Sequence, residues 1–356
     1  MQLVAVDSLE IGMMLAQDVI TDSFVHIISE STIITQEIIE KLVYLDIDFV
    51  YIHDTEPSQK KEKIPEAKFD PSTLEGPEAL QYHFKQTLIC IKSIYNDIKF
   101  GETKINENLS NVMSPLLELV LSHNNILYSL RCFNQNEEYI FKHSIEVGML
   151  SAMIGKWLKL PKYQISELAI AGLLHDIGKI KTPQYILNKP GELTPQEFDI
   201  AKKHSEHGGD IIKEDGSFSQ GIYEGVLYHH ERYNGSGYPK GLEATNVPLY
   251  ARIVAVADVF DAIISNKVYQ LKLSPFRASE TVKMMSFDEL DPKITNLFLK
   301  KISEHYVGSK VLLSTGEEGE VIYLNKFSIN KPLIKVGEKF IDLTMQPSIS
   351  IKDILA

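Results

Sequence analysis

A chain of 356 residues can form two or three domains, and its 44% hydrophobic and 24% charged content is ordinary for a globular protein with a substantial core. A formal net charge of −12 excludes broad, non-specific binding to nucleic-acid polymers, so an anionic substrate would need positive charge supplied locally. There is no apolar run of the roughly eighteen residues a membrane span requires, no signal-peptide pattern at the N-terminus and only two cysteines, Cys90 and Cys132, which fits a cytoplasmic protein with buried thiols.

Residues 1–54 read as a small α+β module. Val4 to Met14 and Phe24 to Ile34 have strand character around Thr21-Asp22-Ser23. Gln36 to Leu45 carries Ile38, Ile39 and Leu42 at helical spacing, and Phe49-Val50-Tyr51-Ile52 closes the unit as a strand. His26 and His53 read as surface or structural histidines. Residues 55–77 place Pro57, Pro65, Pro71 and Pro77 among Lys, Glu and Ser, the composition of a linker. Over 78–135 the pattern becomes helical, with Leu80, Phe84, Leu88, Ile91, Tyr95 and Ile98 on one face and Leu109, Val112, Leu116, Leu117 and Val120 on a second. This helical hairpin is expected to pack on the following domain, and it is the candidate for a homodimer contact.

His143 lies on a third helix with Val147, Leu150 and Ile154 at +4, +7 and +11, which turns its imidazole to the buried face. The next helix runs Ile165, Leu168, Leu173 and Leu174 into His175-Asp176. A carboxylate has two oxygens and can bridge two metal ions, whereas an imidazole cannot, which is a chemical reason to find the two types side by side. Pro183 to Pro195 reads as a loop. Thr194-Pro195-Gln196-Glu197 is a capping box with proline at the first helical position. The helix it starts is expected to carry Phe198, Ala201, His204 and Gly208 on one face, with His204 inward and His207 a non-ligand.

Ile222 and Val226 lead on a short helix into His229-His230, followed by the turn-forming Asn234-Gly235-Ser236-Gly237-Tyr238-Pro239. Asp258 is embedded in the apolar helix Tyr250 to Ile264, and buried acids are rare unless paired or metal-bound. Asp261, one turn on, reads as a residue that orients a ligand or caps a backbone. Residues 276–305 continue as helix. Beyond Tyr306 the period changes to short strands at Lys310 to Leu313, Gly319 to Tyr323, Leu333 to Val336 and Phe340 to Leu343. Convergence of His143, His175, Asp176, His204, His229, His230 and Asp258 would make a two-metal hydrolytic centre.

Those residues, with Glu231-Arg232, Gly235-Ser236-Gly237-Tyr238-Pro239 and Lys189-Pro190-Gly191-Glu192-Leu193-Thr194, resemble the HD superfamily of metal-dependent phosphohydrolases and its HD-GYP branch, the bacterial cyclic di-GMP phosphodiesterases. The resemblance covers roughly 136–306. It implies a mainly α fold: an all-helical HD-type metal-binding bundle, with the small α+β module before it and a small β appendix over 307–356. It further implies two divalent ions, iron or manganese foremost with zinc and others open. His143, His175, Asp176 and Asp258 would hold one ion, and Asp176, His204, His229 and His230 the second, with Asp176 bridging. Asp176 and Lys179 would serve catalysis, and Lys179, Lys267, Arg232 and Tyr238 would contact a cyclic dinucleotide substrate. The Gly237-Tyr238-Pro239 loop would offer a protein-partner contact.

The activity so implied is hydrolysis of cyclic di-GMP to linear pGpG and/or GMP by water activated between the two ions. The alternatives are hydrolysis of cyclic GMP-AMP or a linear phosphoester, and a non-catalytic cyclic di-GMP receptor or partner-binding scaffold. Three departures from the family pattern bear on these. Tyr139 replaces a glutamate that some members use for a third metal. Ser265-Asn266-Lys267-Val268-Tyr269-Gln270 replaces a run with two arginines, losing their bidentate fork. Asn234 stands where aspartate is common.

Overall fold

The computed structural model describes residues 2–6, 9–20, 26–36, 38–39, 42, 47, 49–53, 74–105, 109–122, 130, 139–265, 275–325 and 328–355. The chain divides into two units, Met1–Phe69 and Asp70–Ala356. No helix among the described residues is long and apolar enough to cross a membrane.

The first unit pairs β1 (Gln2–Ala5) antiparallel with β4 (Phe49–Ile52), and β2 (Val19–Ile20) with β3 (His26–Ile28). Leu15, Ile34, Leu42, Val50 and Ile52 form its small core. The two short strands expected within Val4 to Met14 and Phe24 to Ile34 correspond here to Gln2–Ala5 and His26–Ile28. The stretch from Val4 leaves the sheet at Ala5, and Gly12, at φ +100°, turns it back so that its amide bonds to Ile34 O. Of the stretch from Phe24, the described residues give the strand His26–Ile28 before a turn at Ser31, φ 62°. The closing strand lies at Phe49–Ile52 as read, and Gln36, Ile38, Ile39 and Leu42 are helical; the rest of that expected helix is outside the described residues.

In the second unit α1 (Gly76–Lys99) starts with Pro77 in its first turn, where a missing amide proton costs nothing, and buries Leu80, Phe84, Leu88, Ile91 and Tyr95. Helix α2 (Leu109–Ser122) follows and contains Pro115. Helices α3 (Tyr139–Trp157) and α4 (Lys162–Leu174) form the centre of the bundle. They approach closely because Gly148 faces Gly172: a Cβ on Gly172 would lie 2.8 Å from Gly148 Cα. The faces of α1 and α2 join the same core, so the hairpin packs on this bundle.

A 3₁₀ turn (Ile177–Lys181) leads to α5 (Gln184–Leu187), a short helix inside the stretch expected to be loop. The Thr194 capping box starts α6 (Pro195–Lys202), and the backbone breaks at Lys203 before α7 (His204–Asp215). The single helix expected through Gly208 is therefore two. Then come α8 (Gln220–Tyr228), capped by the Ser219 hydroxyl, α9 (Leu249–Ile264), α10 (Pro275–Met285) and α11 (Pro292–Ser303).

The C-terminal strands are β5 (Lys310–Leu313), β6 (Glu318–Asn325), β7 (Ser328–Val336), β8 (Lys339–Asp342) and β9 (Ile351–Ile354), in the antiparallel order β8-β7-β6-β5-β9. Strand β9 was not expected; its short run gives little alternation to read. Val311, Val321, Ile334 and Leu343 share one hydrophobic core with Phe276, Phe298 and Tyr306 of the helical bundle.

Candidate metal centre

Three of the candidate histidines sit at helix ends. His175 follows the last residue of α4, His204 opens α7 just after α6, and His229 follows α8. The last turn of a helix has carbonyls without intrahelical amide partners. Each of these imidazoles uses one: His175 Nδ1 donates to Gly172 O, His204 Nδ1 to Ala201 O and His229 Nδ1 to Val226 O, all at 2.7 Å. The carbonyls fix the tautomer, leaving each Nε2 with a lone pair aimed inward. His143 is different. It lies in the second turn of α3, and its Nδ1 pairs with Asp261 Oδ2 at 2.7 Å.

The structure brings all seven sequence-derived candidates together in two groups. Asp176, His204, His229 and His230 place one ligand atom each within 4.8 Å of one another, and so do His143, His175 and Asp258. Asp176 lies between the groups: its Oδ2 is 3.3 Å from His175 Nε2 and its Oδ1 is 3.5 Å from His204 Nε2. Asp258 Oδ1 lies 3.2 Å from His143 Nε2 and 3.9 Å from His175 Nε2. His207 belongs to neither group among the described residues.

Two features test whether a cation fits. Nε2 of His204 and Nε2 of His229 face each other at 3.3 Å while both rings already spend their Nδ1 protons on carbonyls. Two such lone pairs repel unless they share a cation. Asp176 Oδ1 is buried with no hydrogen-bond partner, an arrangement that costs on the order of 1–3 kcal/mol unless something positive meets it. The donor set of imidazoles and carboxylates suits a divalent transition metal, and the residues fit.

The electrostatics agree. Burial lowers the pKa of His204, His229 and His230 and so keeps their rings neutral, the form that ligates. Burial alone would raise Asp176 and Asp258. His175 and Lys179 beside Asp176, and the hydrogen bond from His143 with His175 nearby for Asp258, outweigh it and hold both carboxylates well below the usual range. Burial also works against charge on His143, but its bonds to Asp258 and Asp261 push it up to about 10. The centre is built to accept positive charge.

Gly178 permits the construction. A Cβ there would meet His204 O at 1.9 Å and Gly208 N at 2.4 Å, so only glycine lets the 3₁₀ turn lie against α7 and bring His204 beside Asp176. Lys179, on the same turn, places Nζ 2.5 Å from Asp176 Oδ2. Tyr238 lays its ring over His230, with centroids 4.7 Å apart, and burial keeps its phenol protonated as a donor.

Arg232 is oriented away from a free role: its Nη1 donates to the carbonyls of His229 and Glu231 at 3.3 and 3.1 Å, and its Nε faces Glu289 at 3.7 Å. Asn234 forms a local turn, its Oδ1 accepting from Ser236 N. Tyr139 stacks on His143 at 5.4 Å between centroids. Lys267 and Gln270 lie outside the described residues.

Sequence reasoning quoted Glu231 only as part of a motif and gave no role to it or to Glu146. Buried Glu231 accepts from Lys240 N at 2.6 Å and Leu242 N at 2.9 Å and thereby anchors the loop that carries Tyr238. An acid directly after His229-His230 and just before a glycine-rich turn was the available signal. Glu146 is buried on α3, paired with Lys142 at 2.9 Å, and burial together with the charge of Asp261 pushes it up to about 8.

Comparison with known proteins gives concordant results. The HD domain family matches residues 112–294. Over 248 residues the chain is 34% identical to the cyclic di-GMP phosphodiesterase PA4108 of Pseudomonas aeruginosa, covering 69% of this chain and 59% of that protein. Over 174 residues it is 33% identical to a 3′3′-cGAMP-specific phosphodiesterase of Vibrio cholerae, covering 48% and 39%. The chain thus spans less than two thirds of either relative. The fold matches that of Bd1817, an HDG"Y"P protein of Bdellovibrio bacteriovorus, with a TM-score of 0.55 over 84% of this chain and 98% of that one at 15% identity.

Proposed function

The chain belongs to the HD domain family, in its HD-GYP branch, and from that premise we propose that it hydrolyses a phosphodiester bond of cyclic di-GMP to give linear pGpG and/or GMP. The observation that carries this reading is the division of seven ligand side chains into two adjoining sets with the Asp176 carboxylate between them.

Asp176, with one oxygen toward each set, would be shared by two divalent ions; His143, His175 and Asp258 would complete one site, and His204, His229 and His230 the other. Ions held there supply Lewis acidity toward a phosphoryl oxygen and bring the pKa of a water toward neutrality. Iron or manganese suits the mixed nitrogen and oxygen donors, as does zinc. The rest falls to the protein. Lys179 Nζ sits beside Asp176 and would place its charge on a non-bridging phosphate oxygen as negative charge builds in the transition state. Tyr238 covers His230 and presents a protonated hydroxyl at the rim of the site. Lys267 would add a second cation to the substrate grip. Burial of the ligands excludes bulk water, which strengthens each of these interactions.

Metal-loaded protein incubated with cyclic di-GMP under anaerobic conditions should release pGpG, resolved by chromatography, and Asp176→Ala should release none. No turnover with iron or manganese sinks the reading. A second substrate is favoured by the similarity to a 3′3′-cGAMP-specific phosphodiesterase, so cyclic GMP-AMP belongs in the same assay. Binding of cyclic di-GMP by fully metallated protein without hydrolysis would instead mark a receptor.

A further inference from the structure

His143 differs from its partner histidines in what holds it. His175, His204 and His229 donate Nδ1 protons to last-turn carbonyls of helices that end beside them. His143 sits inside α3, where preceding carbonyls serve the helix's own amides, so a side chain must take the proton. Asp261 does so from α9 at 2.7 Å.

Asp261 is 0% exposed and belongs to neither ligand group. The same oxygen that meets His143 also accepts from the Ser265 hydroxyl at 3.1 Å, which pins the carboxylate in place. Its other oxygen, Oδ1, is buried with no hydrogen-bond partner, and the carboxylate meets the ligand group through the His143 imidazole. A carboxylate behind a ligating histidine fixes the ring and raises its basicity.

The two ligand groups are consequently unequal in charge. The group of His143, His175 and Asp258 has one carboxylate of its own and a second, Asp261, acting through His143. The group of His204, His229 and His230 has no carboxylate but Asp176, which it would share with the first group and whose charge Lys179 Nζ, at 2.5 Å, offsets. We propose that Asp261 is a positioning residue that makes the His143–His175–Asp258 group the tighter of the two, so that the protein takes up its divalent ions in order, this group first.

The inference rests on the two-metal reading above, and the experiment separates the two. Metal-free full-length protein is titrated with manganese(II), with free manganese followed by electron paramagnetic resonance and a competing chelator setting the scale. Two classes of site at least about tenfold apart are expected. His204→Ala should abolish the weaker class and leave the tighter one. Asp261→Ala should weaken the tighter class by about 10–100-fold. Asp261→Asn keeps an oxygen to accept from Nδ1 but loses the charge, and should weaken it by a smaller factor while keeping the wild-type circular dichroism spectrum.

Two classes of equal affinity in the wild type, or a folded Asp261→Asn protein whose tighter class is unchanged, would overturn the inference alone. Binding of no manganese would overturn the two-metal reading with it.

Discussion

Asp176 and Lys179 are three residues apart, and their pairing sets what each can do. The lysine is 2.5 Å from one carboxylate oxygen, while the other oxygen has no hydrogen-bond partner. Lys179→Ala should leave metal content intact yet lower kcat by about a hundred- to a thousandfold, the usual loss when a charge that meets a developing anion is removed. Metal analysis beside steady-state kinetics checks both halves. Glu146 permits a prediction about pH. Its pKa is raised from the ordinary carboxylate value to about 8, so the folded chain holds a proton that the unfolded chain releases near 4.5. The unfolded state then binds fewer protons, and stability falls as pH rises between those values. The contribution is fully present below about 4.5 and lost on passing about 8. In metal-free protein, Glu146→Gln should flatten the decline of the urea midpoint between pH 5 and 8; a midpoint as steep as wild type would contradict the assignment.

The elements explain why such distant residues meet. Helix ends do much of the positioning, because a histidine placed just past a helix has a carbonyl waiting for its Nδ1 proton. This was only partly legible in the sequence. The inward face of His143 followed from Val147, Leu150 and Ile154, since a 3.6-residue period is a strong signal over three turns. The break at Lys203 was not legible, because the Pro195 to Asp215 stretch is helical on both sides and its interruption depends on the tertiary fit of His204. The anchoring role of Glu231 was not legible for a related reason: its partners are the backbone amides of Lys240 and Leu242, which leave no side-chain pattern. Gly178 is the tightest joint between elements. Gly178→Ala would drive a methyl group into the backbone of His204 and Gly208, so the 3₁₀ turn and α7 must separate. A loss of about 1–3 kcal/mol or more is expected, read as a lower thermal midpoint, together with fewer than two manganese ions bound per chain.

Over the whole molecule the two units have separate cores. The first is built on Val6, Leu15, Ile34, Leu42 and Val50, the second on residues from Leu80 to Ile354. The units divide at Phe69 and Asp70, and the sheet after Tyr306 shares the core of the helical bundle through Val311, Val321 and Ile334. Strand periodicity identified those strands but could not reveal what they pack on, because an alternating pattern shows only that one face is covered. The difference matters for dissection. Every ligand of the candidate centre lies in the second unit, as do α1 and α2, whose apolar faces are buried against α3 and α4. A chain of residues 70–356 should therefore fold, bind two manganese ions and cleave cyclic di-GMP with a kcat near that of the full chain. A chain ending at Tyr306 should fare worse, because removing the sheet uncovers Phe276, whose helix packs on β7 and β9, and the ring of Tyr306 that lies against it, each now less than 2% exposed. Uncovering a side chain of that size costs roughly 1.5–3 kcal/mol, and the two together are a large share of the stability of a typical domain. Thermal unfolding of the two truncations decides the matter: a 1–306 chain as stable as the full chain would show that the sheet is a separate module after all.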